Sequence, residues 1–134
     1  MILLDTSVII DYWRKPRPAV EEALTRLKPC ICGAVLAELL QGASSSEEAE
    51  RTEKAVAGFG YLDMPEEAWC KLGANLAALR TAGRPVPFQD VLLATVAIAH
   101  DAELWTLDGH YATIHTVLKD LRLLPDPLRD MSTS

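Results

Sequence analysis

Apolar residues at Ile2–Leu4 stop at Asp5-Thr6-Ser7, after which Val8, Ile9, Tyr12 and Trp13 recur at helical spacing until Pro16. That pattern predicts a strand, a cap and a helix. A second amphipathic helix is expected over Pro18 to Lys28, with proline in its first turn and Val20, Ala23, Leu24 and Leu27 on its apolar face. Cys30 to Cys32 then reads as a very short strand, and Ala34 to Gln41 as an apolar helix ending at Gly42. Serines 44–46 followed by Glu47-Glu48 resemble a capping box and open a polar helix to about Val56, which Gly58 and Gly60 end. Tyr61 to Met64 is a third strand candidate, and a long helix is expected from Pro65 to about Thr81, broken by Ala82-Gly83-Arg84-Pro85.

The segment Gln89 to Ala99 is apolar nearly all round, as suits a helix buried against a sheet. Glu103 to Thr106 reads as a strand, Asp108-Gly109 as a turn, His110 to Ile114 as a short helix and Arg122 to Leu124 as a last strand. Residues 125–134 are expected to form a flexible tail. Parallel neighbours need crossover connections, and these are overwhelmingly right-handed, so strands alternating with helices imply helices on both faces of one sheet. The expected fold is an α/β three-layer α/β/α sandwich around a mostly parallel sheet of four to five strands, as one domain over residues 1–134. Ligands of such sheets sit at the carboxyl ends of the strands, near the point where strand order reverses.

Composition agrees with a single core: the chain has 134 residues, 49% of them apolar and 24% charged. The longest apolar run, Val91 to Ala99, is interrupted by Thr95 and is far short of the roughly 20 residues that span a bilayer. The first five residues contain no basic segment and meet an acid at Asp5, so they read as a strand inside the domain; a soluble, cytoplasmic protein is the expectation. Cys30, Cys32 and Cys70 are odd in number and lack CxxC spacing, which argues against a disulfide framework; all three are expected to be buried thiols, in preference to a Cys30-x-Cys32 metal half-site. His100, His110 and His115 show no ligand spacing.

Candidate chemistry lies in the carboxylates. Asp5 closes the first strand, Asp108 follows the Leu104 strand, Glu38 sits in the helix after the Cys30 strand, and Asp90 opens the buried helix. All four can face one sheet edge. Converging carboxylates raise one another's pKa unless hard cations lie between them. Each acid also has an ordinary structural use. Asp5 is a competent helix cap, Asp90 suits a helix first turn, Asp108-Gly109 is a common turn, and Glu38 with Gln41 forms a possible exposed stripe. It is the ordered set that points to a metal cradle. The net charge of −6 opposes nucleic-acid binding. A bound cation would invert the local potential, and Arg14, Lys15 and Arg17 offer a basic patch, although they also fit a solvated helix end.

The segments Leu3-Leu-Asp-Thr-Ser-Val-Ile-Ile-Asp11, Ala37-Glu-Leu39, Asp90-Val-Leu-Leu-Ala-Thr-Val-Ala97 and Trp105-Thr-Leu-Asp108 with His110-Tyr111 together resemble a PIN domain, most of all a VapC-type toxin of a toxin–antitoxin pair, over residues 1 to 124. The resemblance implies an endoribonuclease in which Asp5, Glu38, Asp90 and Asp108 hold one or two Mg²⁺ or Mn²⁺ ions, assisted by Thr6, Ser7 and Thr106 through their hydroxyls. In that chemistry a metal-activated water attacks the phosphodiester, and no histidine base is needed. It further implies RNA as substrate, a homodimer, and an antitoxin that inserts a segment into the site. Arg14 and Lys15 are the candidate substrate contacts, while Asp11 is assigned to the surface or to a supporting role.

Trp13, Leu36, Leu39 and Leu40 are expected in the core before a dimer or antitoxin surface. Two other readings fit an α/β chain with strand-end aspartates. A receiver-type phosphoacceptor domain would show an acid pair at the first strand and a lysine on a late strand, where this chain has one Asp and Thr106. A PIN-like module that binds RNA or protein without cutting would not need four mutually repelling acids.

Overall fold

The computed structural model describes residues 1–125 and residue 127; the expected tail therefore lies almost wholly outside the described residues. The elements, in chain order, are β1 (Ile2–Leu4), α1 (Thr6–Arg14), α2 (Pro18–Leu27), β2 (Cys30–Cys32), α3 (Gly33–Gln41) and α4 (Ser46–Val56). They continue as β3 (Gly60–Leu62), α5 (Ala68–Thr81), α6 (Phe88–Ala99), β4 (Glu103–Trp105), α7 (His110–Val117) and β5 (Arg122–Leu123).

The five strands form one sheet in the order β3-β2-β1-β4-β5, and every pairing in it is parallel. The chain builds outward from β1 through β2 to β3, then crosses back to lay β4 against the other side of β1. The reversal of strand order thus falls between β1 and β4, whose register pairs Leu3 with Leu104 and Leu4 with Trp105. Strands covered on both faces must be apolar on both faces. Leu3, Leu4 and Leu104 accordingly retain no exposed surface. Five strands and a wholly parallel sheet of an α/β sandwich match the expected architecture.

Helix α6 is the central covering element. Val91, Leu93, Ala94, Thr95, Val96 and Ala97 are all buried, because α5, α7, β4 and α3 all pack against this helix. Its buried Thr95 hydroxyl donates to the Val91 carbonyl at 2.7 Å and accepts from the Asn75 amide of α5 at 3.0 Å, which leaves no orphan polar atom there. The serine-rich start of α4 caps as its sequence suggests: Ser45 Oγ accepts from the Glu48 backbone N–H, and the Glu48 carboxylate accepts from Ser44.

Four expectations need correction. The long helix begins at Ala68, since Pro65 to Glu67 instead form a turn closed by bonds from Ala68 N–H to the Pro65 carbonyl and from Trp69 N–H to that of Glu66. Helix α7 continues past Ile114 to Val117, because Ile114 and Leu118 both reach the core. Of the cysteines only Cys32 is buried; Cys30 is half-buried at the start of β2, and Cys70 is exposed on the outer face of α5. Trp13, at the end of α1, is 41% exposed, whereas Leu39 is in the core and Leu36 packs against it. Among the described residues no helix is long and apolar enough to cross a membrane.

Strands β2 and β3 approach closely where Cys30 pairs with Gly60. A Cβ on Gly60 would lie 2.8 Å from Cys30 Sγ, so overpacking of Gly60→Ala should cost about 1–3 kcal/mol in denaturant unfolding. Cys30→Ala in the same chain should recover most of that loss. Equal destabilisation by Gly60→Ala in both backgrounds would contradict the close contact.

Candidate active site

Parallel pairing of β1 with β4 places the residues just after each strand side by side. Asp5 follows β1, and its backbone N–H donates to the Trp105 carbonyl at 2.9 Å, extending the ladder by one bond. Asp5 occupies the N-cap position of α1 with extended backbone, yet its side chain makes no capping bond. The carboxylate turns to the other strand instead. Its Oδ2 accepts from Ser7 Oγ at 2.6 Å and from Thr106 Oγ1 at 2.7 Å. Both hydroxyls are themselves fixed from behind: Ser7 Oγ accepts from the Leu107 N–H at 3.0 Å, and Thr106 Oγ1 from the Asp108 N–H at 2.9 Å. Asp5 is 7% exposed, so its charge is held by donated hydrogen bonds rather than by water.

Asp90 is the third residue of α6, and its helix start brings it to the same edge. Its Oδ2 lies 2.9 Å from His110 Nδ1, and its Oδ1 is 3.4 Å from the Tyr111 hydroxyl. The same hydroxyl is 3.5 Å from Asp5 Oδ1, so one buried phenol faces both acids. Asp108 fixes the start of α7, with its Oδ1 accepting from the His110 N–H at 2.9 Å. Its turn-forming use is therefore real, and the same oxygen also lies 3.4 Å from His110 Nδ1. One donor atom each from Asp90, Asp108 and His110 lie within 4.8 Å of one another.

Glu38 sits on the exposed face of α3 beside Ala37 and Gln41, as the stripe reading expects. It belongs to the cluster all the same, because Thr6 Oγ1 donates to its Oε1 at 3.1 Å and the Asp5 and Asp90 charges reach it. Desolvation first, then repulsion from Asp5 and Asp90, pushes the Glu38 carboxyl above its ordinary range despite the bond from Thr6. Asp90 is pushed up in the same sense, chiefly by burial and then by Asp108 and Asp5, with the His110 contact opposing. Burial, followed by the surrounding carboxylates, drives the Tyr111 hydroxyl far upward, so it stays protonated as a donor.

The structure thus brings together Asp5, Glu38, Asp90, Asp108, Thr6, Ser7 and Thr106. Arg14 and Lys15 stand apart. They are exposed at the far end of α1, eight and nine residues beyond Thr6, or about 12–14 Å along the helix axis. Arg17 pairs with Asp11 at 2.6 Å, which removes Arg17 from the free basic patch and places Asp11 at the surface. His110 and Tyr111 were not singled out by residue spacing. Their signal was position, as the first two residues of the helix after Asp108, where a short turn must bring them back over the strand ends.

The sequence and fold are similar to those of known proteins. The PIN domain family model matches residues 2–115. No curated protein matches the sequence. Among solved structures, VapBC2 from Rickettsia felis, bound to a DNA fragment from its promoter, is similar at 25% identity and a TM-score of 0.77, over 92% of this chain and 98% of that one. VapBC-1 from nontypeable Haemophilus influenzae is similar at 25% identity and 0.77, over 96% and 100%. DNA-bound VapBC from Salmonella typhimurium shares the fold at 24% identity and 0.80, over 94% and 97%. With a match across most of its length and the site at the switch between β1 and β4, the chain belongs to the PIN domain family.

Proposed function

We propose that this chain is a metal-dependent endoribonuclease acting as the toxin of a VapBC-type toxin–antitoxin pair. The observation that carries the reading is the convergence of four acids from four separate segments onto the carboxyl ends of β1 and β4. Asp5 and Asp90 share one phenol there, and Asp90, Asp108 and His110 offer donor atoms within 4.8 Å. A binding module gains nothing from such mutual repulsion.

The donor set fits a hard divalent cation. It is dominated by carboxylate oxygens, two of the acids are held away from their ordinary ionisation, and the cluster opens to solvent through Glu38, Asp108 and His110. Asp5, Asp90 and Asp108, with Glu38, would hold one or two Mg²⁺ or Mn²⁺ ions. A cation bound there supplies a water of lowered pKa and neutralises charge building on the phosphate.

The chain's own residues do the rest. Ser7 and Thr106 hold the Asp5 carboxylate in one orientation, so no reorganisation is needed when charge develops. Thr6 aims Glu38 inward from α3, and Tyr111 keeps Asp5 and Asp90 facing a common point. Arg14 and Lys15 are too far for the scissile phosphate and suit more distant phosphates of an RNA strand. Beside Glu38, α3 and α6 frame a groove of about 220 Å³ lined by Phe88, Leu92 and Gln41. With Phe88 57% exposed, this groove suits an apolar antitoxin segment that would reach the acids. A homodimer working in the cytoplasm, each chain a single domain over residues 1–134, completes the reading. The antitoxin partner in this reading is supported by the similarity to VapBC structures at 25% identity.

Two outcomes test it. Purified protein incubated with mixed RNA and Mg²⁺ or Mn²⁺ should cleave, EDTA should stop it, and Asp5→Asn or Asp90→Asn should lower the rate on the order of 10²-fold or more. Undiminished cleavage by Asp90→Asn, or cleavage insensitive to EDTA, would overturn the mechanism. The second concerns the metal-free fold. Because Glu38 and Asp90 bind protons more tightly when folded, their contribution to stability is complete below the ordinary carboxylate range and is lost as pH rises through their raised values. In EDTA, Asp90→Asn should therefore melt at or above the wild-type temperature at pH 7, and this advantage should vanish near about pH 4. A lower melting temperature for the variant at pH 7 would mean that Asp90 serves the helix start instead.

A further inference from the structure

His110 is not one of the four acids on which the proposed activity rests, yet it lies in their midst. Its Nδ1 is 2.9 Å from Asp90 Oδ2 and 3.4 Å from Asp108 Oδ1. Two features fix it there. The Asp108 carboxylate receives the His110 backbone N–H, so the residue that would share a cation with the imidazole also sets where the imidazole starts. Helix α7 then anchors through Tyr111 and Ile114, which are 1% and 0% exposed.

Distances between donor atoms decide what such a cluster can hold. Six ligands at roughly 2.1 Å from an ion are spaced about 3 Å apart when adjacent and about 4.2 Å when opposite. The two short separations around Nδ1 match adjacent positions, and with all three donor atoms within 4.8 Å of one another the set needs to close by no more than about 0.6 Å to share one ion. The His110 side chain is 55% exposed, which leaves room for water and a phosphate oxygen on the open side. Among the described residues His110 Nε2 has no hydrogen-bond partner, so when a cation replaces the contact between Nδ1 and Asp90 the ring proton can reside on Nε2 while Nδ1 offers its lone pair to the ion.

We infer that His110 Nδ1 is a metal ligand alongside Asp90 and Asp108, and that this nitrogen biases the site toward Mn²⁺ and other first-row transition ions over Mg²⁺. The reading rests on the cation site proposed above and adds to it a ligand and a preference. Its chemistry is the difference between donors: an all-carboxylate cradle serves Mg²⁺ and Mn²⁺ alike, whereas imidazole favours transition ions and is a poor partner for Mg²⁺. The alternative is that His110 only pairs with Asp90 when no ion is present and swings out when one binds.

Electron spin-echo spectroscopy of the full chain loaded with Mn²⁺ separates these directly, since a coordinated imidazole imposes a nitrogen-14 modulation on the manganese signal. Wild type should show it and His110→Ala should lose it. In calorimetric titrations the variant should bind Mn²⁺ about tenfold or more weakly, with Mg²⁺ affinity changed by less than about threefold. His110→Asn, which keeps a polar residue at the start of α7, guards against misfolding and should also lack the modulation. Mn²⁺ bound by wild type without nitrogen modulation, or a modulation that persists in His110→Ala, would overturn the role of His110 while leaving the cation site standing. Failure of wild type to bind Mn²⁺ at all would overturn both.

Discussion

One carboxylate oxygen holds this site together. Asp5 Oδ2 receives the hydroxyls of Ser7 and Thr106 at 2.6 and 2.7 Å, and those hydroxyls in turn receive the N–H groups of Leu107 and Asp108. Asp5 and Thr106 are 101 positions apart in sequence, and only the parallel register of β1 on β4 makes them neighbours. If that register slipped by one residue, the slipped strand would turn its side chains to the opposite face. The bonds that cross between the two segments, from Thr106 to Asp5 and from the Leu107 N–H to Ser7, would then fail. The placement of His110 and Tyr111 depends on the same loop, because α7 begins where Asp108 ends.

A second constraint is that the cluster is electrostatically uncomfortable when it holds only protein. Glu38 and Asp90 are both pushed up by burial and by neighbouring carboxylates, and the chain as a whole carries a net charge of −6. The fold relieves this partly, with hydroxyl donors at Asp5 and Glu38, an imidazole at Asp90 and a phenol between Asp5 and Asp90. Stability is thereby given up at the place where a cation would restore it, a common arrangement at functional sites. The acids are backed by well-buried elements, among them α6, which buries Val91 and Leu93 to Ala97.

Much of this was readable from residues alone, for identifiable reasons. Strand β1 and helix α6 carry patterns set by burial on all sides, and such patterns leave little freedom. Asp5, Asp90 and Asp108 stand out because each follows or opens a predicted element at one sheet edge, and Glu38 because it interrupts an otherwise apolar helix. What the sequence could not show is which use of each acid prevails. Asp5 has the residue type and position of a cap, yet its carboxylate is drawn to Thr106 by a tertiary contact no local rule contains. Asp108 is both a turn residue and a member of the cluster, and Glu38 is both exposed and bonded to Thr6. Ligand spacing does not mark His110, because such spacing is a property of single elements, whereas its partners come from α6 and from the loop after β4. Cys70 is exposed although thiols are commonly buried, because its place on α5 faces outward.

Asp5, held by its two hydroxyls, is proposed as part of a cradle for a divalent cation. An ion that binds only the folded state stabilises it by RT ln(1 + [L]/Kd), about 2.7 kcal/mol at a hundredfold excess over Kd. Melting temperatures measured against increasing Mn²⁺ should rise steadily for the wild-type chain and stay nearly flat for Asp5→Asn. The same metal-dependent rise in both proteins would contradict the account.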